Sequence, residues 1–184
     1  MLNTHIISTV NQKVLCFLAK FSDREFYERQ IARDIGISYG SANRALNSLN
    51  ATGTVRRRQE GKMFFYSVDS ASNAIIELKK LINIMLLEPL VEVIKHNTSR
   101  IVLFGSCAHG FDDSQSDVDL FITTLNRERI IEAVDDFHFP RGYEIVRIKP
   151  VIKTPVELIM SEDADRLFID EIEKGVTLWE RTGE

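Results

Sequence analysis

The 184 residues predict an α+β chain of two domains, and three observations carry that expectation. Charge is divided: residues 1–72 hold ten Lys/Arg against six Asp/Glu (+4), and 73–184 hold thirteen against twenty-one (−8), summing to the whole-chain −4. Such an asymmetry suggests two units with different partners, the basic one suited to a polyanion and the acidic one to hard cations. Apolar residues recur at helical spacing through the first third. From Ile101 onward, short apolar runs alternate with polar turns instead. Composition narrows the class further. At 44% apolar and 27% charged the chain is neither disordered nor fibrous. The most apolar stretch, 81–94, is interrupted by Glu88, Pro89 and Glu92, so no membrane span is expected. The start, Met1-Leu2-Asn3-Thr4-His5, lacks a basic n-region, and two cysteines make no disulfide framework. A cytoplasmic location is the expectation.

Val10, Val14, Leu15, Phe17 and Leu18 predict a first helix over about 8–21, and Ile31, Ala32 and Ile35 a second over about 27–35. Gly36 supplies a tight turn, and Ser38 can cap a third helix that buries Ala42, Ala45, Leu46 and Leu49 and ends near Gly53. Two β-prone runs, 54–58 and 63–68, flank Gln59-Glu60-Gly61-Lys62 and predict a hairpin. The third helix presents Ser41, Asn43, Arg44, Asn47 and Ser48 outward, groups able to meet base edges or phosphates. Arg56, Arg57, Arg58 and Lys62 give the hairpin its positive charge, although strand alternation sends Arg57 to the side opposite Arg56 and Arg58.

Helix, helix, Gly turn, helix and basic hairpin together resemble the winged helix-turn-helix family of transcription regulators. The resemblance covers about 8–68 and implies a DNA-binding domain over 1–70 with double-stranded DNA as partner. Its third helix would enter the major groove while the hairpin meets the backbone. The other reading of such a module is a packing or protein-docking unit. Residues 71–97 form a connecting helix, with Ser72 as its cap and Ile75, Ile76, Leu78, Leu81, Ile82, Ile84 and Met85 inside it. Its apolar residues cover more than one face, so either both domains pack on it or it forms a homodimer. Pro89 is expected to break or kink it.

In the last part, 98–184, a buried strand over 101–104 opens into Gly105-Ser106. A second strand carries Asp117-Val118-Asp119, whose carboxylates share one face about 7 Å apart at Cα while Val118, Leu120 and Ile122 face the core. Two close anions call for a bridging cation, and Mg²⁺ with oxygen ligands and substrate phosphates suits them. Gly105 permits close backbone approach to a phosphate, and the Ser106 hydroxyl can donate to the same oxygens.

The string Gly-Ser-Cys-Ala-His-Gly at 105–110, then Ser-Asp-Val-Asp-Leu at 116–120, resembles the minimal nucleotidyltransferases of the DNA polymerase β-like superfamily. The resemblance implies an α/β domain with a mixed sheet. It also implies an NTP substrate, ATP first, with Asp117 and Asp119 as Mg²⁺ ligands and Gly105 and Ser106 on the nucleotide phosphates. His109 departs from the pattern, which usually has Arg there. A third metal-binding carboxylate is implied on a later strand. Of two strand-like runs, 143–148 and 156–160, the second offers Glu157, followed by a Ser161-capped helix, and the first offers Glu144 as runner-up.

With no room left for a separate acceptor-binding domain, the acceptor hydroxyl would come from a macromolecule, such as a HEPN-type toxin bound by an antitoxin of this kind. The winged helix would then make the chain an autoregulator. The alternative is a non-catalytic regulator using a degenerate domain as nucleotide sensor. A small-molecule transferase is disfavoured by length. Cys107 and Cys16 are expected as packed thiols, Trp179 as packing, Asp112-Asp113 as a solvated loop, and Asp163 and Asp165 in a first helical turn. The four histidines lack metal-ligand spacing.

Overall fold

The computed structural model describes residues 7–159 and 166–181, so Ser161, Asp163 and Asp165 lie outside the described residues. The first unit runs α1 (Val10–Lys20), β1 (Phe26–Tyr27), α2 (Glu28–Asp34), α3 (Tyr39–Ala51), β2 (Arg56–Glu60) and β3 (Met63–Ser67). Thr9 and Gln12 close a reciprocal capping box on α1, and Ser38 Oγ accepts the Ser41 amide at 3.1 Å to start α3. The hairpin forms with a two-residue loop, Gly61-Lys62, whose Gly61 takes a φ of +60° that suits the strand twist. The order β1-β3-β2 adds a short third strand to the hairpin. This is the winged-helix architecture. The two-residue β1 is too short to leave an alternation in the sequence; it is set by pairing Phe26 with Tyr66.

One long helix, α4 (Asn73–Ile94), follows. Pro89 lies within it and the helix continues through. The proline removes one donor, but buried Leu86, Leu87, Leu90 and Val91 on either side hold the turn by packing. Ser72 precedes α4 without a side-chain cap; its carbonyl takes the Ile76 amide instead. The helix serves both halves. A continuous apolar core runs from Val14, Phe17 and Leu46 through Ile82, Leu87 and Ile94 to Ile101, Leu120 and Ile130.

The second unit comprises β4 (Arg100–Phe104), α5 (Gly105–His109), β5 (Val118–Thr123), α6 (Arg127–Asp135), β6 (Ile148–Lys153), α7 (Pro155–Ile159), α8 (Arg166–Glu173) and β7 (Val176–Glu180). The sheet order is β6-β5-β4-β7, with β5 and β6 parallel and the other pairs antiparallel, a mixed sheet. Both late strand expectations need correction. Residues 143–147 form turns, with Tyr143 packed on Phe17 and Phe21, and the strand begins at Ile148. Pro150 hid it, yet β6 is an edge strand, where a missing donor is tolerated. The run 156–160 is helical as far as it is described.

Asp112 also departs from expectation. Its side chain is fully buried and ion-paired to Lys20 Nζ at 2.7 Å. Asn83 Nδ2 donates to its other oxygen at 3.0 Å and to the Cys107 carbonyl at 2.9 Å. Lys79 Nζ donates to the Asp112 carbonyl and, at 3.4 Å, to Ser22 Oγ. Two more contacts pin the same loop and its counterpart to the first unit. Ser114 Oγ donates to Asp23 at 2.6 Å, and Arg141 Nη2 donates to the Arg33 carbonyl at 2.7 Å.

Candidate functional site

The site forms where β4 ends and β5 begins. Antiparallel pairing sets Phe104 opposite Asp119, so the turn leaving β4 lies beside the carboxylates. Gly105 opens it with a φ of +67°. A Cβ there would stand 2.9 Å from Asp119 Oδ2, so the glycine is required twice, by its backbone and by the carboxylate it faces. Gly-Ser and Asp-Val-Asp are thus two halves of one construction. Ser106 is half-buried, and its carbonyl takes the Phe111 amide at 3.0 Å. Asp117 precedes β5 and is exposed; its carbonyl accepts from Cys107 Sγ at 3.4 Å.

Burial raises the Asp119 carboxyl above the ordinary carboxylate range, Lys149 pulls it back, and Asp117 pushes it up again. Sequence reasoning did not single out Lys149. Parallel pairing sets it directly beside Asp119, and an exposed lysine on an edge strand carries no signal until the register is known.

Glu157 is not brought to these groups. It lies in the first turn of α7, past the far end of β6, whereas Asp119 sits near the beginning of the parallel β5. Its carboxylate accepts the Thr154 amide at 2.6 Å and Arg127 Nη2 at 2.8 Å, while Thr154 Oγ1 accepts the Glu157 amide. The amide, then the Thr154 hydroxyl and Arg127, hold its carboxyl below the usual range. Thr154-Pro155-Val156-Glu157 is a capping box with proline at the first helical position, a signal present in the sequence. Glu144 accepts the Gly142 amide at 2.7 Å and lines a cavity of about 440 Å³ with Arg24, Arg33 and Arg141, away from the Gly-Ser turn.

The donor set can be tested against a divalent ion. Asp117 and Asp119 offer hard oxygen ligands, Asp119 half-buried against the Gly105 turn and Asp117 exposed just before β5. Among the described residues no group of three His, Cys, Asp or Glu could hold a metal. Two carboxylates suit an ion that takes the rest of its shell from substrate phosphates and water. Cys107 is no nucleophile: burial pushes its thiol up to about 12. Cys16 is buried likewise, at about 11.

On the winged helix, Arg44, Asn47 and Ser48 are exposed on α3 and Ser41 and Asn43 half-exposed. Arg44 Nη2 donates to Ser41 Oγ at 3.3 Å, and Asn47 to Asn43 at 3.1 Å. The hairpin arginines divide as alternation requires. Arg56 pairs with Asp69 at 2.6 Å, and Arg58 with Glu25 and Glu60, both at 2.6 Å. Arg57 lies on the other side, over the Phe64 ring at 4.7 Å. Carboxylates thus already engage two of the four hairpin cations, leaving Arg57, Lys62 and Arg44 outside the salt bridges.

Among known proteins, the family model described as Polymerase beta, Nucleotidyltransferase matches residues 88–184. Two solved structures resemble parts of the chain. Reduced HlyU from Vibrio cholerae N16961 shares 25% identity at a TM-score of 0.33, covering 48% of this chain and 83% of that one. TrmBL2, an archaeal chromatin protein described as showing a novel mode of DNA binding, shares 16% identity at a TM-score of 0.31, covering 89% of this chain and 70% of its own.

Proposed function

The chain belongs to the Polymerase beta nucleotidyltransferase family, and from that premise we propose that it transfers a nucleoside monophosphate from an NTP, ATP first, to an acceptor hydroxyl and binds duplex DNA through its winged helix. The observation that carries the reading is the Asp119 carboxylate packed against the Gly105 turn. That contact supports a reading in which Asp119 serves as a metal ligand beside a Gly105-Ser106 phosphate cradle. Asp117 and Asp119 would hold one Mg²⁺, which neutralises phosphate charge and orients the triphosphate. The Ser106 hydroxyl donates to the β- or γ-phosphate, and Gly105 lets the backbone approach it. The acceptor oxygen forms a bond to the α-phosphorus, the bond to pyrophosphate breaks in line, and the acceptor proton leaves to water at the exposed edge beside Asp117. Catalysis here is positioning plus charge neutralisation.

The acceptor is a macromolecule that brings its own surface. A partner protein such as a HEPN-type toxin fits, with the winged helix acting on the operator of the pair. The two faces of α3 and the hairpin support duplex binding through Arg44, Asn47, Arg57 and Lys62. No helix among the described residues is long and apolar enough to cross a membrane.

A second reading, nucleotide sensing without transfer, is favoured by Lys149 beside Asp119 and by Glu157 being spent on a helix cap. Incubation with α-labelled ATP and Mg²⁺ separates the two. Label on an acceptor or on the chain itself supports transfer. Saturable binding with no label transferred, even with HEPN-type proteins offered as acceptors, supports sensing.

A further inference from the structure

Beyond the transfer or sensing reading, and resting on its nucleotide site, we propose that Lys149 is a phosphate-binding residue of that site, a permanent cation in place of a third metal-binding acid. The register comes first. Asp119 on β5 and Lys149 on β6 are direct partners of a parallel pair, so their side chains leave the sheet on the same face, with strands about 4.8 Å apart. Two independent packing facts identify that face. Two residues beyond Asp119, Phe121 packs on Phe168 of α8, and two residues beyond Lys149, Val151 joins the same small apolar cluster with Val102 and Phe104. Lys149 and Asp119 therefore stand on the α8 side, at the end of the sheet where the Gly105 turn lies.

The balance of charge follows. Asp117 and Asp119 bring two negative charges, Lys149 one positive. One divalent ion turns the site net positive and matched to a polyphosphate, and among the described residues no group of three acids or other ligands is assembled to hold a second ion. An ammonium on a flexible four-carbon stem can reach a phosphate held beside Asp119. Lys149 is exposed, and it forms no salt bridge with either aspartate among the described residues, so its charge is available to a ligand. The neighbouring Arg147 is placed otherwise, lining a different cavity with Asp135 and His138.

Lysine is also common on edge strands, where it discourages edge-to-edge pairing. The two roles separate in a binding experiment on the full chain. A fluorescent ATP analogue is titrated into the wild type, Lys149→Ala and Lys149→Arg, once in EDTA and once in Mg²⁺, with melting temperatures measured alongside. The expected result is metal-free binding by the wild type, weakened about tenfold or more by Lys149→Ala in both buffers and largely restored by Lys149→Arg, as loss of a charge-assisted hydrogen bond requires. Unchanged melting temperatures would accompany it. Affinity within twofold of wild type for Lys149→Ala in both buffers would overturn the proposal and leave the nucleotide site standing. No binding by the wild type in either buffer would overturn the nucleotide site itself, and this proposal with it.

Discussion

Two charge clusters flank the short stretch 112–119, and they are built on opposite rules. At its start Asp112 is fully buried, with Lys20, Lys79 and Asn83 around it; Lys20 and Asn83, from two helices, hydrogen-bond its carboxylate, and Lys79 donates to its backbone carbonyl. At its end Asp117 is exposed and Asp119 half-buried, with no salt bridge to either among the described residues, and burial and the neighbouring Asp117 raise the Asp119 carboxyl. A buried charge survives only when its partners are complete. An unsatisfied acid at a surface persists when something else is meant to complete it. The contrast separates architecture from chemistry within eight residues of sequence.

Five experiments test it, from the largest expected effect down. Asp112→Ala leaves two buried ammonium groups facing each other, and urea denaturation is expected to show a loss of about 3–5 kcal/mol. A loss under 1 kcal/mol would mean that water or other groups complete the interior cluster. Asp117→Asn combined with Asp119→Asn is expected to lower Mg²⁺-dependent transfer by at least about a hundredfold with circular dichroism unchanged. Transfer equal to wild type would break the assignment of the outer cluster as the reacting site. Arg44→Ala is expected to weaken duplex binding by about tenfold and flatten its salt dependence by about one contact. Wild-type chain that no duplex retains at low salt would remove the DNA partner altogether.

The fourth is a matter of pH. Asp119 has a raised carboxyl in the folded chain, so its protonated form is favoured there. Its contribution to stability is greatest below its ordinary 3.8 and falls as pH rises through its folded value. Asp119→Asn is therefore expected to melt about 1–2 °C higher than wild type at pH 7, a small gain because solvent reaches the site, and to match it near pH 3. A lower melting temperature at pH 7 would show the acid to be satisfied already. Last, Glu157→Gln is expected to cost a little thermal stability through its cap and leave nucleotide affinity unchanged. An affinity loss would return Glu157 to the site from which its Thr154 and Arg127 contacts remove it.

Local signals proved legible where the physics is local. The Ser38 cap and the Gly61 hairpin depend on neighbours a few residues away, and each formed as its pattern requires; of Asp117-Val118-Asp119, the strand takes Val118 and Asp119 and leaves Asp117 just before it. Thr154-Pro155-Val156-Glu157 is equally local, but its apolar neighbours look like a strand as readily as a helix turn. Asp112 was not legible, because its partners lie 92 and 29 residues away in sequence and nothing near it distinguishes a solvated loop from an ion-paired core. Lys149 depends on strand register, which β6 hides behind Pro150.

The stretch that leads from the Gly105 turn into β5 is tied to α1 through Lys20 and to the following loop through Asp23, while the segment entering β6 grips α2 through Arg33. Both strands that bring acid and lysine to the crevice are thus anchored at their entrances to the winged helix. Whatever occupies the crevice and shifts those entrances also shifts the anchor. Under the proposed function, linkage would make the traffic two-way: a factor by which nucleotide altered grip on a duplex would be the factor by which the duplex altered grip on nucleotide.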